Sequence, residues 1–295
     1  MDISRIAVVG CGRMGRGIAL LAAQHKLQVI AVPGRAGGQE RSRERFSDDR
    51  ARVEKRGGAE AGAAFDRIEV VEKIEDVTEC ALWIESIVER LDTKQATLKA
   101  IEAHVAPGTV IATNTSSLPL EVLAEALARP ESFLALHFFN PATRMKLVEV
   151  GATAQTGPEA VRAANAFCEQ IDQTPIAVRA SPGYVVNRLL VPMLLHAIQT
   201  FESGVANADA IDAAMQLGLS HPMGPLALAD YIGLDVVIAM ATTMREELGD
   251  PRFDLPPLLV KLVELEQLGR KSKVGFYDYR GKDRIVNSAL AELIS

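Results

Sequence analysis

Through roughly the first 180 residues, short runs of Val, Ile, Leu and Ala alternate with segments whose apolar positions repeat at helical spacing. The apolar runs predict strands over 5–9, 28–32, 67–71, 81–86, 110–113, 133–139, 147–150 and 175–178. Helical patterns fall between several of them, over 14–25, 93–104 and 159–171. Alternation of this kind gives a largely parallel sheet with helices on both faces. After "ASPGYVVNR" the texture changes. Val185, Val186, Leu189, Leu190, Met193, Leu194, Ala197, Ile198 and Phe201 follow helical spacing, and Pro192 is expected to kink that helix. Further helical runs cover 209–217, 225–248 and 257–268, and strand-like runs become scarce.

The first strand leads into "VVGCGRMGRG", which sets Gly10, Gly12 and Gly15 at G-x-G-x-x-G spacing before a helix. Each glycine has a physical task. Gly10 permits a tight turn, Gly12 lets backbone approach a pyrophosphate, and Gly15 lets helix pack closely on strand. The start of the helix offers unpaired N–H groups and the positive end of its dipole to that anion. The spacing alone is weak, but strand before and helix after make it a credible dinucleotide site. The fold class is therefore an α/β Rossmann-type domain with a mostly parallel sheet over 1–182. A second, all-α domain follows over 183–295. Such a unit normally carries an acid at the end of its second strand to hold the adenosine ribose. Here Pro33 stands there, followed by Gly34 and Arg35. Losing the carboxylate weakens the hold on NAD and removes the repulsion that excludes a 2′-phosphate, which Arg35 is placed to meet. NAD is the expected cofactor, with NADP compatible for that reason.

Composition narrows the partners. The 295 residues carry a net charge of −6, which argues against nucleic acid, since counterion release needs an excess of cations. No run reads as membrane-spanning or as a leader, and Cys11, Cys80 and Cys168 are scattered without metal-ligand spacing. A reduced, cytoplasmic setting without metal or membrane is the expectation. One segment stands apart: "ERSRERFSDDRARVEKR", 40–56, interleaves both signs with few apolar residues. It reads either as a solvated helix laced by ion pairs or as a projecting arm whose Arg and Lys meet the phosphates of a large anionic substrate.

Three further stretches carry candidate chemistry: "ATNTSSL" (112–118), "HFFNPATRMKLVEV" (137–150) and "SPGYVVNR" (181–188). Oxidising a secondary alcohol by hydride transfer leaves a hydroxyl proton that needs a base, and an imidazole suits the task. His137 and Glu149 lie twelve positions apart across an "FNP" turn; in isolation such a pair is more often a structural contact. Taken with the glycine loop, however, these stretches resemble the short-chain L-3-hydroxyacyl-CoA dehydrogenase family, which includes bacterial 3-hydroxybutyryl-CoA dehydrogenases. The resemblance continues through "GVANADAIDAAMQLGLSHPMGPLALADYIGLD" and "LGRKSKVGFYDY" and covers nearly the whole chain. It implies that His137 is the catalytic base, oriented by Glu149, with Ser116 and Asn187 at the substrate oxygen. Asn140 is a second-rank substrate contact. Glu89, Lys94 and Lys271 match residues near the cofactor, alongside Arg13, Met14 and Asn114. On sequence alone Glu89 and Lys94 also read as an exposed pair around a helix start. His221, before a proline turn, reads as structural.

Two positions depart from the family's pattern. Arg144 stands where an apolar residue is common, and Lys273 replaces the glycine of "RKSG". The resemblance implies a short-chain acyl-CoA substrate and a homodimer formed through the C-terminal domain. An acyl-carrier protein as carrier, a free 3-hydroxy acid as substrate, and a non-catalytic binding protein stay open as alternatives.

Overall fold

The computed structural model describes residues 3–290 and Leu293. The chain divides into two compact units, the first ending at Tyr184 and the second beginning at Val185. In the first, the order is β1 (Arg5–Val9), α1 (Arg13–Gln24), β2 (Gln28–Val32), α2 (Gln39–Gly57), α3 (Ala59–Gly62) and β3 (Ile68–Val70). It continues with β4 (Leu82–Glu85), α4 (Leu91–His104), β5 (Val110–Thr113), α5 (Leu120–Ala124), β6 (Phe133–Phe138), β7 (Leu147–Ala152), α6 (Pro158–Gln170) and β8 (Thr174–Arg179). The eight strands form one sheet in the order β3-β2-β1-β4-β5-β6-β7-β8. From β3 to β6 every neighbour is parallel; β7 turns antiparallel to β6, and β8 runs parallel to β7.

Because crossover helices cover both faces, the central strands are buried on both sides and read as near-continuous apolar runs. Successive side chains of β1 serve opposite cores. Ile6 and Val8 pack with Ile18 and Leu21 of α1 and Phe167 of α6. Ala7 and Val9 join Trp83, Leu98 and Ile101 on the α4 side. The predicted charged segment forms α2, which buries only Ser42 and Phe46. Arg50 pairs with Glu54 and Asp66, and Asp49 pairs with Arg16 and Arg52. Solvated ion pairs thus line one side of this helix.

The second unit comprises α7 (Val186–Glu202), α8 (Ala208–Leu219), α9 (Pro225–Ile232), α10 (Leu234–Leu248) and α11 (Pro257–Glu264). A two-strand ribbon closes it, β9 (Tyr277–Asp278) antiparallel to β10 (Ile285–Val286). The ribbon is a departure from the all-α expectation; strands of two residues are too short to show a period. The predicted continuous helix over 225–248 is also corrected. It breaks at Gly233, where φ is +108° and the axis turns by 93°. By contrast, α7 runs through Pro192 as one helix. Among the described residues no single helix is long and apolar enough to cross a membrane.

Asp230 anchors the C-terminal loop of this unit. It is fully buried and accepts hydrogen bonds from the Phe276 and Tyr277 amides and the Tyr279 hydroxyl, each at 3.0 Å. Burial pushes its carboxyl up to about 6 despite those donors. In the same loop Lys273 holds φ +66°, the left-handed conformation that favours glycine. A side chain there costs roughly 1 kcal/mol, partly offset by the greater freedom glycine would lose on folding. Lys273→Gly is therefore expected to raise stability by up to about 1 kcal/mol in thermal unfolding. A lowered midpoint would show that the lysine side chain holds the loop in some other way.

Candidate active site

The turn between β1 and α1 is built around absent side chains. A Cβ on Gly10, whose φ is +111°, would stand 2.3 Å from the Ser86 carbonyl oxygen. One on Gly15 would stand 1.8 Å from the Gly10 carbonyl oxygen. These two glycines are needed for packing. Gly12 differs, since a Cβ there would meet nothing within 4 Å. Its open side faces the N-terminus of α1, which has no side-chain cap, so the free N–H groups await an external acceptor. The residues present therefore fit a pyrophosphate. A cavity of about 630 Å³ runs past this turn. Gly10, Gly12, Arg13 and Met14 line it together with Pro33, Arg35, Arg41 and Arg45. Glu89, Asn114, Ser116 and His137 complete the wall.

His137 and Glu149 owe their meeting to the one antiparallel step in the sheet. They sit directly opposite in the β6–β7 register, where side chains on one face lie within contact distance. Nδ1–H of His137 donates to Oε2 of Glu149 at 2.7 Å, and both side chains are buried. The bond fixes the tautomer and leaves Nε2 as the basic nitrogen. The imidazole is also held between aromatic rings, with Phe139 at 4.6 Å and Tyr184 at 5.3 Å between centroids. Gly151 makes room for Tyr184, because a Cβ there would come to 3.0 Å from that ring. Tyr184 was not anticipated as part of this site, although it lies within the quoted "SPGYVVNR". Its hydroxyl is buried with no hydrogen-bond partner among the described residues, and burial pushes its pKa up.

Glu89 is exposed as expected, but Lys94 is not. Lys94 is 1% exposed, and its ammonium donates to both oxygens of Glu85 at 2.8 and 3.0 Å. Glu85, which the sequence reading missed, also accepts from the Thr113 hydroxyl and the Ile87 amide, each at 2.7 Å. The only sequence signal was an acid closing an apolar strand. Lys94 then reaches Glu89 at 3.3 Å. Glu89 in turn accepts from the Thr115 hydroxyl at 2.6 Å and the Ser116 amide at 2.8 Å. Burial raises the Glu89 carboxyl, but Lys94 and these donors outweigh it and leave it below its ordinary value. The network fixes the loop that carries Ser116. Asn114 ties the same strand ends together, accepting from the Phe138 amide at 2.9 Å and donating to Ser86 at 3.3 Å.

The remaining expected residues lie elsewhere. Asn140 is exposed beyond the end of β6, and Arg144 is exposed in the following turn. Asn187 occupies the first turn of α7, in the second unit, and is buried. Lys271, also in the second unit, pairs with Asp235.

The site has the parts of a nicotinamide-dependent alcohol dehydrogenase: an anion-binding glycine turn and a carboxylate-steadied imidazole on one cavity. Comparison with known proteins is specific. Residues 5–181 match the NAD-binding domain of 3-hydroxyacyl-CoA dehydrogenases, and residues 183–279 match their C-terminal domain. The chain belongs to the 3-hydroxyacyl-CoA dehydrogenase family, an NAD(P)-dependent oxidoreductase acting on 3-hydroxyacyl-CoA substrates. It is 39% identical to a probable 3-hydroxybutyryl-CoA dehydrogenase of Deinococcus radiodurans, over 93% of this chain and 100% of the relative. It is also 39% identical to the 3-hydroxybutyryl-CoA dehydrogenase of Bradyrhizobium diazoefficiens, over 95% and 96%. Among solved structures, FadB2 of M. tuberculosis superposes with a TM-score of 0.89 at 36% identity, covering 95% of this chain and 100% of that one.

The buried Glu85–Lys94 pair has a testable energetic signature. Lys94→Met leaves the Glu85 carboxylate buried without its counter-charge, which costs about 3–5 kcal/mol. Urea unfolding should show that loss, and adding Glu85→Gln to the same chain should recover much of it. Equal stability of the single and double variants would mean the two charges do not depend on one another.

Proposed function

We propose that this protein interconverts a short-chain L-3-hydroxyacyl-CoA, of the 3-hydroxybutyryl-CoA kind, and its 3-oxo form. The observation that carries the proposal is the His137–Glu149 pair facing the cavity that runs past the glycine turn. A bound nicotinamide dinucleotide supplies the hydride acceptor or donor. Gly12 and the uncapped first turn of α1, with Arg13 and Met14, hold its pyrophosphate, while Glu89, held by the buried Lys94, and Asn114 shape the wall nearer the chemistry. In the oxidative direction His137 Nε2 takes the proton of the substrate hydroxyl. Glu149 accepts from Nδ1–H and stabilises the imidazolium that forms. Ser116 steadies the substrate oxygen as it becomes a carbonyl, and in reduction His137 returns the proton. Asn140 supports the thioester end.

A spectrophotometric assay with acetoacetyl-CoA and reduced nucleotide tests this directly. Wild type should consume NADH or NADPH; His137→Gln should lower kcat by about 10²–10⁴-fold. Glu149→Gln should lower kcat with little change in KM, because it acts through the imidazole. No turnover with either nucleotide would favour a binding protein, and turnover of a free 3-hydroxy acid alone would move the substrate class.

The chain acts in the cytoplasm as a homodimer in this reading, paired through the second unit. That unit exposes Leu189, Val205, Leu217 and Leu219, each more than half accessible, more apolar surface than a monomer usually leaves open. Light scattering should give twice the chain mass of 31.8 kDa. A monomer at micromolar concentration would refute the pairing.

A further inference from the structure

The stretch of the cavity beside Pro33 is cationic in a way the reaction does not use. Arg41, Ser42 and Arg45 of α2 line it together with Arg35 from the β2–α2 loop. Positions 38, 41, 42 and 45 repeat at three and four residues, so they form one face of the helix. That face is turned to the cavity. Arg35, Arg41 and Arg45 have no hydrogen-bond or ion-pair partner among the described residues. Their neighbours on the same helix differ. Arg43 donates to the Val70 carbonyl at 3.3 Å, Arg50 pairs with Glu54 at 2.8 Å, and Arg52 pairs with Asp49 at 3.2 Å. Arg56, in the last turn of the helix, is likewise without a partner among the described residues, so what sets Arg41 and Arg45 apart is that they line the cavity. The cavity's only carboxylate is Glu89, and that group is committed to Thr115, Ser116 and Lys94. Pro33 occupies the place of the ribose-binding acid, so nothing at this end repels an anion.

We infer that Arg35, Arg41 and Arg45 form a phosphate site on the adenosine ribose, and that the dinucleotide this enzyme prefers is NADP(H). The inference rests on the proposed dehydrogenase reading and goes beyond it by naming the cofactor and the side chains that select it. The position follows from the glycine turn. With the pyrophosphate over Gly12 and the α1 N-terminus, the adenosine ribose lies past the tip of β2, on the stretch of cavity that Arg35, Arg41 and Arg45 line. Three planar donors suit a dianionic phosphate better than a diol, which has no charge to offer them. An adenosine 3′-phosphate, as on CoA, shares that chemistry, so the test must separate the two sources.

The measurement is binding, followed by quenching of protein fluorescence or by calorimetry, on the intact chain. NADPH should bind at least about tenfold more tightly than NADH, with the ratio shrinking as salt rises. Arg41→Ala with Arg45→Ala should lower NADPH affinity about tenfold or more and leave NADH affinity within about twofold. Arg43→Ala, on the same helix but facing away, should change neither. Adenosine 2′-monophosphate should displace NADPH more effectively than adenosine 3′-monophosphate. Equal binding of NADH and NADPH overturns the assignment while the dehydrogenase reading stands. So does parallel loss of both nucleotides in the double variant with its thermal midpoint unchanged, or better displacement by the 3′-monophosphate. If neither nucleotide binds, the dehydrogenase reading falls as well.

Discussion

The site depends on a single reversal of strand direction. Six parallel strands could have carried the glycine turn without it, since that turn is framed by β1, α1, β2 and β4. A base and its orienting acid require two side chains on one face, at one level, a few ångströms apart. Antiparallel pairing of β6 with β7 supplies this, because residues twelve apart in sequence become opposite in space. The register also fixes the environment. With Glu149 opposite His137, Gly151 falls two residues further along the same face of β7, where its missing side chain admits the Tyr184 ring. A slip of one residue would turn Glu149 to the other face of the sheet. Chemistry and fold are therefore set by the same ladder of hydrogen bonds.

A second constraint acts at the C-terminal ends of β4 and β5. Thr113, Ser116 and Glu89 all emerge there, where backbone groups leave the sheet and need partners. Lys94 solves this by bringing one buried ammonium between two carboxylates, Glu85 at 2.8 Å and Glu89 at 3.3 Å. Such burial is costly unless every proton finds an acceptor. The return is rigidity in the loop that holds Ser116, since Glu89 takes hydrogen bonds from both its side-chain and backbone neighbours. Rigid placement of polar groups is what stabilising a developing carbonyl demands.

Strands buried on both faces announce themselves as short apolar runs, and β1, β2 and β5 have the boundaries that pattern predicts. The glycine spacing likewise carried its own meaning, because sterics at Gly10 and Gly15 are local. What stayed hidden was decided by partners distant in sequence. Lys94 looks like a surface residue until Glu85 is placed beneath it. The break at Gly233 is invisible in an apolar period that continues across it. Tyr184 beside His137 follows from the course of the chain after β8, which no local period encodes. The pairing of His137 with Glu149 lay between these cases: motif context singled out the residues, but their spacing alone did not state the strand direction.

Pro33 looks at first like damage to a cofactor site, yet it belongs with the arginines around it. An acid at that position would sit near Arg35 and Arg41 and neutralise charge within the protein, leaving little for an incoming anion. With proline in its place, Arg35, Arg41 and Arg45 line the cavity without an acidic partner among the described residues, which is the condition the inferred phosphate site needs. Glu89 reinforces the asymmetry, because its charge is already balanced by Lys94 and its oxygens are spent on the Ser116 loop. The cavity accordingly presents free positive charge at one end and compensated charge at the other. The inferred preference for a dinucleotide bearing an extra phosphate on its adenosine half rests on that division.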